Sequence, residues 1–208
     1  MYIELLDILR CTVDHRQIPL VTAIIDRDGR FVVNAVMGCP VCRQEYPIEN
    51  GVALFGSHGG SEAEHGETTD EADPELAVRV AAFLNPPDAA VVALIGEWAP
   101  TSAAVAEMTG TRVFAVNSPV PLEESERVGV LRAARRLPFA ADSLRGIAIG
   151  EGGWSGRDVE AAAGALAAGG RMVLPVSIEL PAGLDEVAHD DAIRVAEKRG
   201  PLVALHRR

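Results

Sequence analysis

The sequence predicts an α/β protein, in which a small β-rich module precedes a larger layer of parallel strands covered by helices. Three observations carry that reading. Residues 1–55 contain hairpin-like segments around a C-x-x-C turn, Cys39-Pro40-Val41-Cys42. From residue 74 onward, short continuous apolar runs alternate with helical patterns, the mark of a parallel sheet buried on both faces. Between them, GSHGGSEAEHGETTDEADPE (56–75) carries seven acids and no base, so it reads as a solvated, self-repelling spacer. The expected division is therefore a module over 1–55, an acidic linker over 56–73 and a second domain over 74–208.

In the module, IELLDILR predicts a short helix leading into Cys11. IPLVTAIID and RFVVNAVMG read as two strands joined at Arg27-Asp28-Gly29. After CPVC, QEYPIENGVALF reads as a second hairpin, turning at Asn50-Gly51. A module this small has little core of its own and calls for a staple.

In the second domain, Asp73-Pro74 suits a helix start, with Asp as N-cap and Pro in the first turn. Leu76, Val80, Phe83 and Leu84 give it an apolar stripe, and Pro86-Pro87 ends it. Strand 91–95 leads to helix 101–109, closed by Gly110. Strands 112–116, 128–132 and 145–149 follow. Helix 157–168 is expected to stop at Gly169-Gly170 before strand 171–177. The last segment, AIRVAEKRGPLVALHRR, reads as two strands about a Lys-Arg-Gly turn.

Composition narrows the function classes. With 48% hydrophobic and 24% charged residues the chain is globular, and with 4% aromatics its core rests on Ala, Val, Leu and Ile. The net charge of −11 is concentrated in the acidic run. The remainder is close to neutral and shows no basic footprint for nucleic acid. No apolar run reaches the roughly 18 residues of a membrane span. The acidic start MYIELLDILR lacks the basic region of a secretory signal. The expectation is a cytoplasmic protein with no nucleic-acid or membrane partner.

Three cysteines in such a chain do not make a disulfide framework, and C-x-x-C points to metal or redox chemistry. Structural zinc takes four Cys or His ligands in a closed tetrahedron, commonly as two pairs from two turns. Cys39 and Cys42 form one pair. Cys11 and His15, in CTVDH, form the other, with one hairpin's length of chain between the pairs. Asp14 is an alternative ligand. The competing readings are a redox dithiol, a Cys11 that is only a small core residue, and a surface His15. Redox C-x-x-C turns open a helix in a βαβ unit, whereas this one lies between hairpins.

LLDILRC, GCPVC and EYPIENGVALF, in that order, resemble the small zinc-ribbon activators of methyltransferases, which include the tRNA-methyltransferase activator subunit and its short bacterial homologues. The resemblance covers 1–55 and implies a structural zinc and a scaffold that docks to methyltransferase domains. It departs at CTVDH, where many members carry a second Cys, so His15 becomes the implied fourth ligand. Residues 74–208 resemble a class I S-adenosylmethionine-dependent methyltransferase, a Rossmann-like fold. The match rests on LPFAADS followed by LRGIAIG, and on VEAAAGALAAGGRMVLP. It implies a last strand that inserts antiparallel.

The same resemblance locates what this chain lacks. Members place a Gly-rich turn after the first strand, an acid at the end of the second, and Gly-Asp-Ala before LPF. Here the turn is Gly96-Glu97-Trp98-Ala99-Pro100, the second strand ends in Asn117, and Ala133 stands where Asp is expected. An amide is a weaker ribose partner than a carboxylate. The implied remnant of the pocket is Gly96, Glu97, Asn117 and Leu137, with Glu151 after the fourth strand. Trp98 and Trp154 are read as packing at strand ends or as lining of that cleft. Ser155, His189, His206 and the pair Glu151 and Asp158 form no recognisable catalytic set. The expectation is a non-catalytic scaffold or regulatory protein that holds zinc and is not expected to bind S-adenosylmethionine. Its partner would be a methyltransferase or a second copy of the chain. The alternative is an active methyltransferase with a divergent pocket.

Overall fold

The computed structural model describes residues 1–56, 74–134, 136–150 and 156–200. The linker expected over 56–73 therefore lies almost wholly outside the described residues, as do Glu151, Trp154, Ser155, His58, His65 and His206.

Among the described residues, one eleven-stranded sheet runs in the order β1-β2-β3-β4-β7-β6-β5-β8-β9-β11-β10. The first four strands, β1 (Val21–Asp28), β2 (Phe31–Gly38), β3 (Glu45–Glu49) and β4 (Val52–Phe55), form an antiparallel meander. The next five are β5 (Val91–Ile95), β6 (Arg112–Val116), β7 (Val128–Ala133), β8 (Leu144–Ile149) and β9 (Leu166–Pro175), all parallel to one another. The hairpin β10 (Leu184–His189) and β11 (Ile193–Lys198) closes the far side, with β11 inserted antiparallel between β9 and β10. Order β7-β6-β5-β8-β9 is the doubly wound arrangement, whose strand order reverses between β5 and β8. The antiparallel insertion is made by β11, in the AIRVAEK segment; the strand expected after Gly200 lies outside the described residues.

Burial explains the apolar runs. Val92, Leu94, Val113, Ala115, Val130 and Ala148 face one side of the sheet, against α2 (Pro74–Leu84) and α3 (Ser102–Thr109). Ala93, Ile95, Phe114, Val116, Leu131 and Ile147 face the other, against the chain start and α4 (Gly156–Ala165). Alternate residues point to opposite faces, so strands covered on both sides are apolar at every position. Among the described residues no helix is long and apolar enough to cross a membrane.

The module does not stand apart. Strand β4 pairs in parallel with β7, Ala53 opposite Leu131 and Phe55 opposite Ala133. Beyond the strands, Ala134 N–H donates to the Phe55 carbonyl at 2.9 Å. The β7-to-β8 connection crosses two strands, a span that a helix usually makes. Its described residues form no helix. Instead it pairs with the module: Arg10 N–H donates to the Pro138 carbonyl and Ala140 N–H to the Ile8 carbonyl, both at 2.8 Å. Met1, Leu5 and Leu9 are buried on this face with Phe114, Leu131 and Phe139. Gly129 makes room for them, since a Cβ there would stand 2.8 Å from Leu5 Cδ1.

Several elements differ from expectation. The first helix, α1, spans only Ile3–Leu6, because Leu9 and Arg10 are drawn into bridges with Phe139 and Pro19. Strand β1 starts at Val21 rather than Ile18, and its turn follows Asp28. Helix α4 ends at Ala165 rather than 168: Leu166 already pairs with Leu144, and Gly169, at φ +73°, sits in a bulge of β9. Lys198 Nζ donates to the carbonyls of Ala163 and Leu166, holding that early stop. A hairpin absent from the sequence reading, β10 with β11, turns at Asp190–Ala192, with Leu184, Ile193, Val195 and Ala196 at its buried positions. The second strand expected beyond Gly200 lies outside the described residues. The Asn50-Gly51 turn is as read, with both residues at positive φ.

Candidate metal centre and the cleft at the switch point

The four predicted ligands converge. The ligand atoms of Cys11, His15, Cys39 and Cys42 all lie within 4.8 Å of one another. Cys11 and Cys42 Sγ are 3.5 Å apart, and His15 Nε2 is 3.3 Å from Cys11 Sγ and 3.4 Å from Cys39 Sγ. Zinc–ligand bonds of about 2.3 Å to sulfur and 2.0–2.1 Å to nitrogen set tetrahedral edges of roughly 3.5–3.8 Å. These three separations lie at or slightly below that length, and the cysteines are free thiols rather than a disulfide. This group can hold a metal ion such as zinc through all four tetrahedral positions.

Local structure aims each ligand. The knuckle is tied by Cys39 N–H to the Gln44 carbonyl at 2.9 Å and Arg43 N–H to the Cys39 carbonyl at 2.8 Å. Arg43, at φ +61°, makes the reversal. Burial pushes the Cys39 thiol up, but backbone N–H groups of Cys42 and Val41, with the neighbouring thiols, bring it down to about 7. Cys39 is thus poised to ligate as thiolate. Burial holds the Cys11 thiol above its ordinary value. His15 Nδ1 lies 2.8 Å from the Arg16 carbonyl. A carbonyl only accepts, so Nδ1 carries the proton and Nε2 presents its lone pair to the thiols. Asp14 points elsewhere, 3.6 Å from Arg136.

The second candidate site is the mouth at the C-terminal ends of β5, β6, β7 and β8, where doubly wound folds bind ligands. Gly96, at φ +66°, begins a 3-10 turn (Gly96–Thr101), and a Cβ on it would meet nothing within 4 Å. Glu97 leans across to β8: a Cβ at Gly150 would stand 2.7 Å from Glu97 Cγ. Asn117, at φ +52°, turns its carboxamide back on the sheet. Its Nδ2 donates to the Ala133 carbonyl at 2.8 Å, and Ala133 N–H donates to its Oδ1 at 2.9 Å. Leu137 is buried with the module's core on the α1 side. Trp98 is buried on the opposite face, packed with Val80, Leu84 and Val105, and therefore lies in the core beneath the turn rather than in the cleft. His189 pairs with Glu186 on the far hairpin, away from both sites.

Sequence reasoning singled out the four converging residues from their spacing. It did not place Tyr46 at this centre, although the Tyr46 hydroxyl lies 3.1 Å from Cys11 Sγ. Only its place in the YPI strand, just after the knuckle, could have signalled it.

No protein-family model matches the chain, and no curated protein matches it. Among solved structures, it is similar to a chain in the complex of the Haloferax volcanii Trm112 methyltransferase activator with a methyltransferase. The TM-score is 0.49 at 15% identity, over 60% of this chain and 89% of that one. A Methanococcus maripaludis protein, described as an S-adenosyl-L-methionine-dependent methyltransferase, gives 0.47 at 10% identity, over 64% and 88%. An Anabaena variabilis protein, described as a methyltransferase of an antibiotic biosynthesis pathway, gives 0.42 at 20%, over 51% and 47%. All three scores fall below 0.5, so the fold assignment rests on strand order and not on these likenesses.

Proposed function

We propose that this chain is a non-catalytic binding or regulatory protein, in which a zinc-ribbon module of the methyltransferase-activator type is fused to a methyltransferase-like domain that has lost its cofactor site. The observation that carries the proposal is Asn117. At the position where a methyltransferase presents an acceptor to the ribose, Oδ1 and Nδ2 of this side chain each bond to the backbone of Ala133, which turns the amide back toward the sheet. Glu97 lying against Gly150 narrows the same mouth. The cysteine and histidine group supports a structural zinc: four protein ligands leave no open position for substrate.

The pairing of β4 with β7 bears on the partner. The β4 edge of the activator-like module is already occupied by the chain's own β7. Binding to another protein then falls to the outer strand β1, which exposes Val21 (65%) and Ile25 (72%). Such an apolar edge, unpaired among the described residues, accepts a strand from a partner.

Isothermal titration of the zinc-loaded chain with S-adenosylmethionine and S-adenosylhomocysteine tests the proposal. No heat at millimolar ligand is expected, and micromolar binding overturns it. One observation favours the alternative of a divergent enzyme: Gly96 keeps both the positive φ and the open space of a cofactor turn. Micromolar binding weakened by Gly96→Val would establish that reading.

A further inference from the structure

We infer that Tyr46 is the positioning residue of the metal centre, its hydroxyl donating to the Cys11 thiolate. The inference rests on the reading of Cys11, His15, Cys39 and Cys42 as a metal site.

Tyr46 lies in β3 and is 2% exposed. Its hydroxyl stands 3.1 Å from Cys11 Sγ, 3.0 Å from Thr12 N and 3.1 Å from Thr12 Oγ1. The backbone N–H of Thr12 can only donate, so it takes one lone pair of the phenol oxygen. The phenol proton then has two acceptors in reach, a hydroxyl and a sulfur. A cysteine that ligates a metal does so as thiolate, and a charged acceptor outcompetes a neutral one. With metal bound, the proton therefore goes to Cys11, and Thr12 Oγ1 is left to donate to the phenol oxygen. Val13 N–H, 3.4 Å from Cys11 Sγ, adds a second donor. Cys11 is a buried ligand, away from the water that would otherwise solvate its charge, so these two donors stand in for solvent.

The ring extends the connection. Tyr46 and Phe55 rings stack with centroids 4.6 Å apart and planes at 31°. Phe55 is the last residue of β4, opposite Ala133 of β7, and its carbonyl accepts from Ala134 N–H. One side chain thus spans from a metal ligand to the strand pair that joins the module to the rest of the sheet.

The test uses the full-length chain loaded with cobalt(II), whose thiolate charge-transfer and ligand-field bands report the centre directly. If wild type shows no thiolate–cobalt bands, the metal reading itself fails. If it shows them, Tyr46→Phe should lower cobalt and zinc affinity by about 10- to 100-fold. It should also move the charge-transfer band to lower energy, because the sulfur regains the electron density that the hydrogen bond withdrew. Phe55→Leu, which alters packing and keeps the hydroxyl, should leave the band where it is. Should Tyr46→Phe fail to fold, replacement of tyrosine by 3-fluorotyrosine, a stronger donor, keeps the test open: the band should move to higher energy. Wild-type band position and affinity in Tyr46→Phe, or an unmoved band in the fluorotyrosine protein, would overturn the inference.

Discussion

Replacing Leu5 by alanine should destabilise the entire chain, not only the module that contains it. Leu5 is 1% exposed and packs onto β7 over Gly129, with Met1, Phe114 and Leu131 around it. Buried leucine-to-alanine changes cost about 2–5 kcal/mol, the transferred methyls plus the cavity left behind. The surrounding wall here is sheet backbone, which cannot collapse into the space, so about 3 kcal/mol is expected. For a domain of this size that corresponds to a fall in Tm of about 6–12 °C. The assay is urea unfolding followed by far-UV circular dichroism and, in a Trp154→Phe background, by the fluorescence of Trp98. Trp98 is buried on the opposite face of the sheet, against α2 and α3, so it reports a region that Leu5 does not touch. Because the module supplies the cover that the β7-to-β8 connection lacks, both probes should move together to a lower midpoint. A fluorescence transition that stays at the wild-type midpoint would refute the shared core and restore two independent domains.

Asn117→Asp should lose about 1–3 kcal/mol, since a carboxylate can accept from Ala133 N–H but faces the Ala133 carbonyl with no donor; denaturant titration measures it. Chelator treatment of the zinc-loaded chain should lower Tm and release one zinc per chain, read by elemental analysis, and Cys39→Ala should abolish the zinc. In the metal-free chain Cys39 titrates at about 7, below its ordinary thiol value, so its contribution to stability is present above the unfolded value and is lost as pH falls through 7. Urea midpoints of the metal-free protein should accordingly rise from pH 7 toward 9 by more than those of Cys39→Ala. Lys198→Met removes the donor to Ala163, Leu166 and Asp142 that holds the end of α4, and should cost about 1–2 kcal/mol by thermal denaturation.

The alternation of β5, α3, β6, β7, β8, α4 and β9 was legible because each strand is apolar on both faces and each turn carries its own punctuation, as Gly110 does for α3 at φ +69°. The cysteine and histidine group was legible for a similar reason: two short turns with fixed spacing need no tertiary information to be recognised as pairs. Boundaries were misread where a distant partner outbid local preference. Helical continuation past Ala165 was the natural reading of VEAAAGALAAGG, yet Leu166 is pulled into the sheet beside Leu144. LLDILR has a helical pattern, yet its second half is not helical, because residues 8–10 hydrogen-bond to 138–140.

Periodicities, turns and the chemical type of the candidate metal site depend on residues close together in the chain, and they could be read without the fold. Three features emerged with the packed molecule alone: the parallel register of β4 on β7, the chain start in place of a crossover helix, and the bonding of Asn117 back to Ala133. Each of these depends on which backbone N–H or carbonyl lies within about 3 Å across the fold, and hydrogen bonds between distant strands leave no period in the sequence.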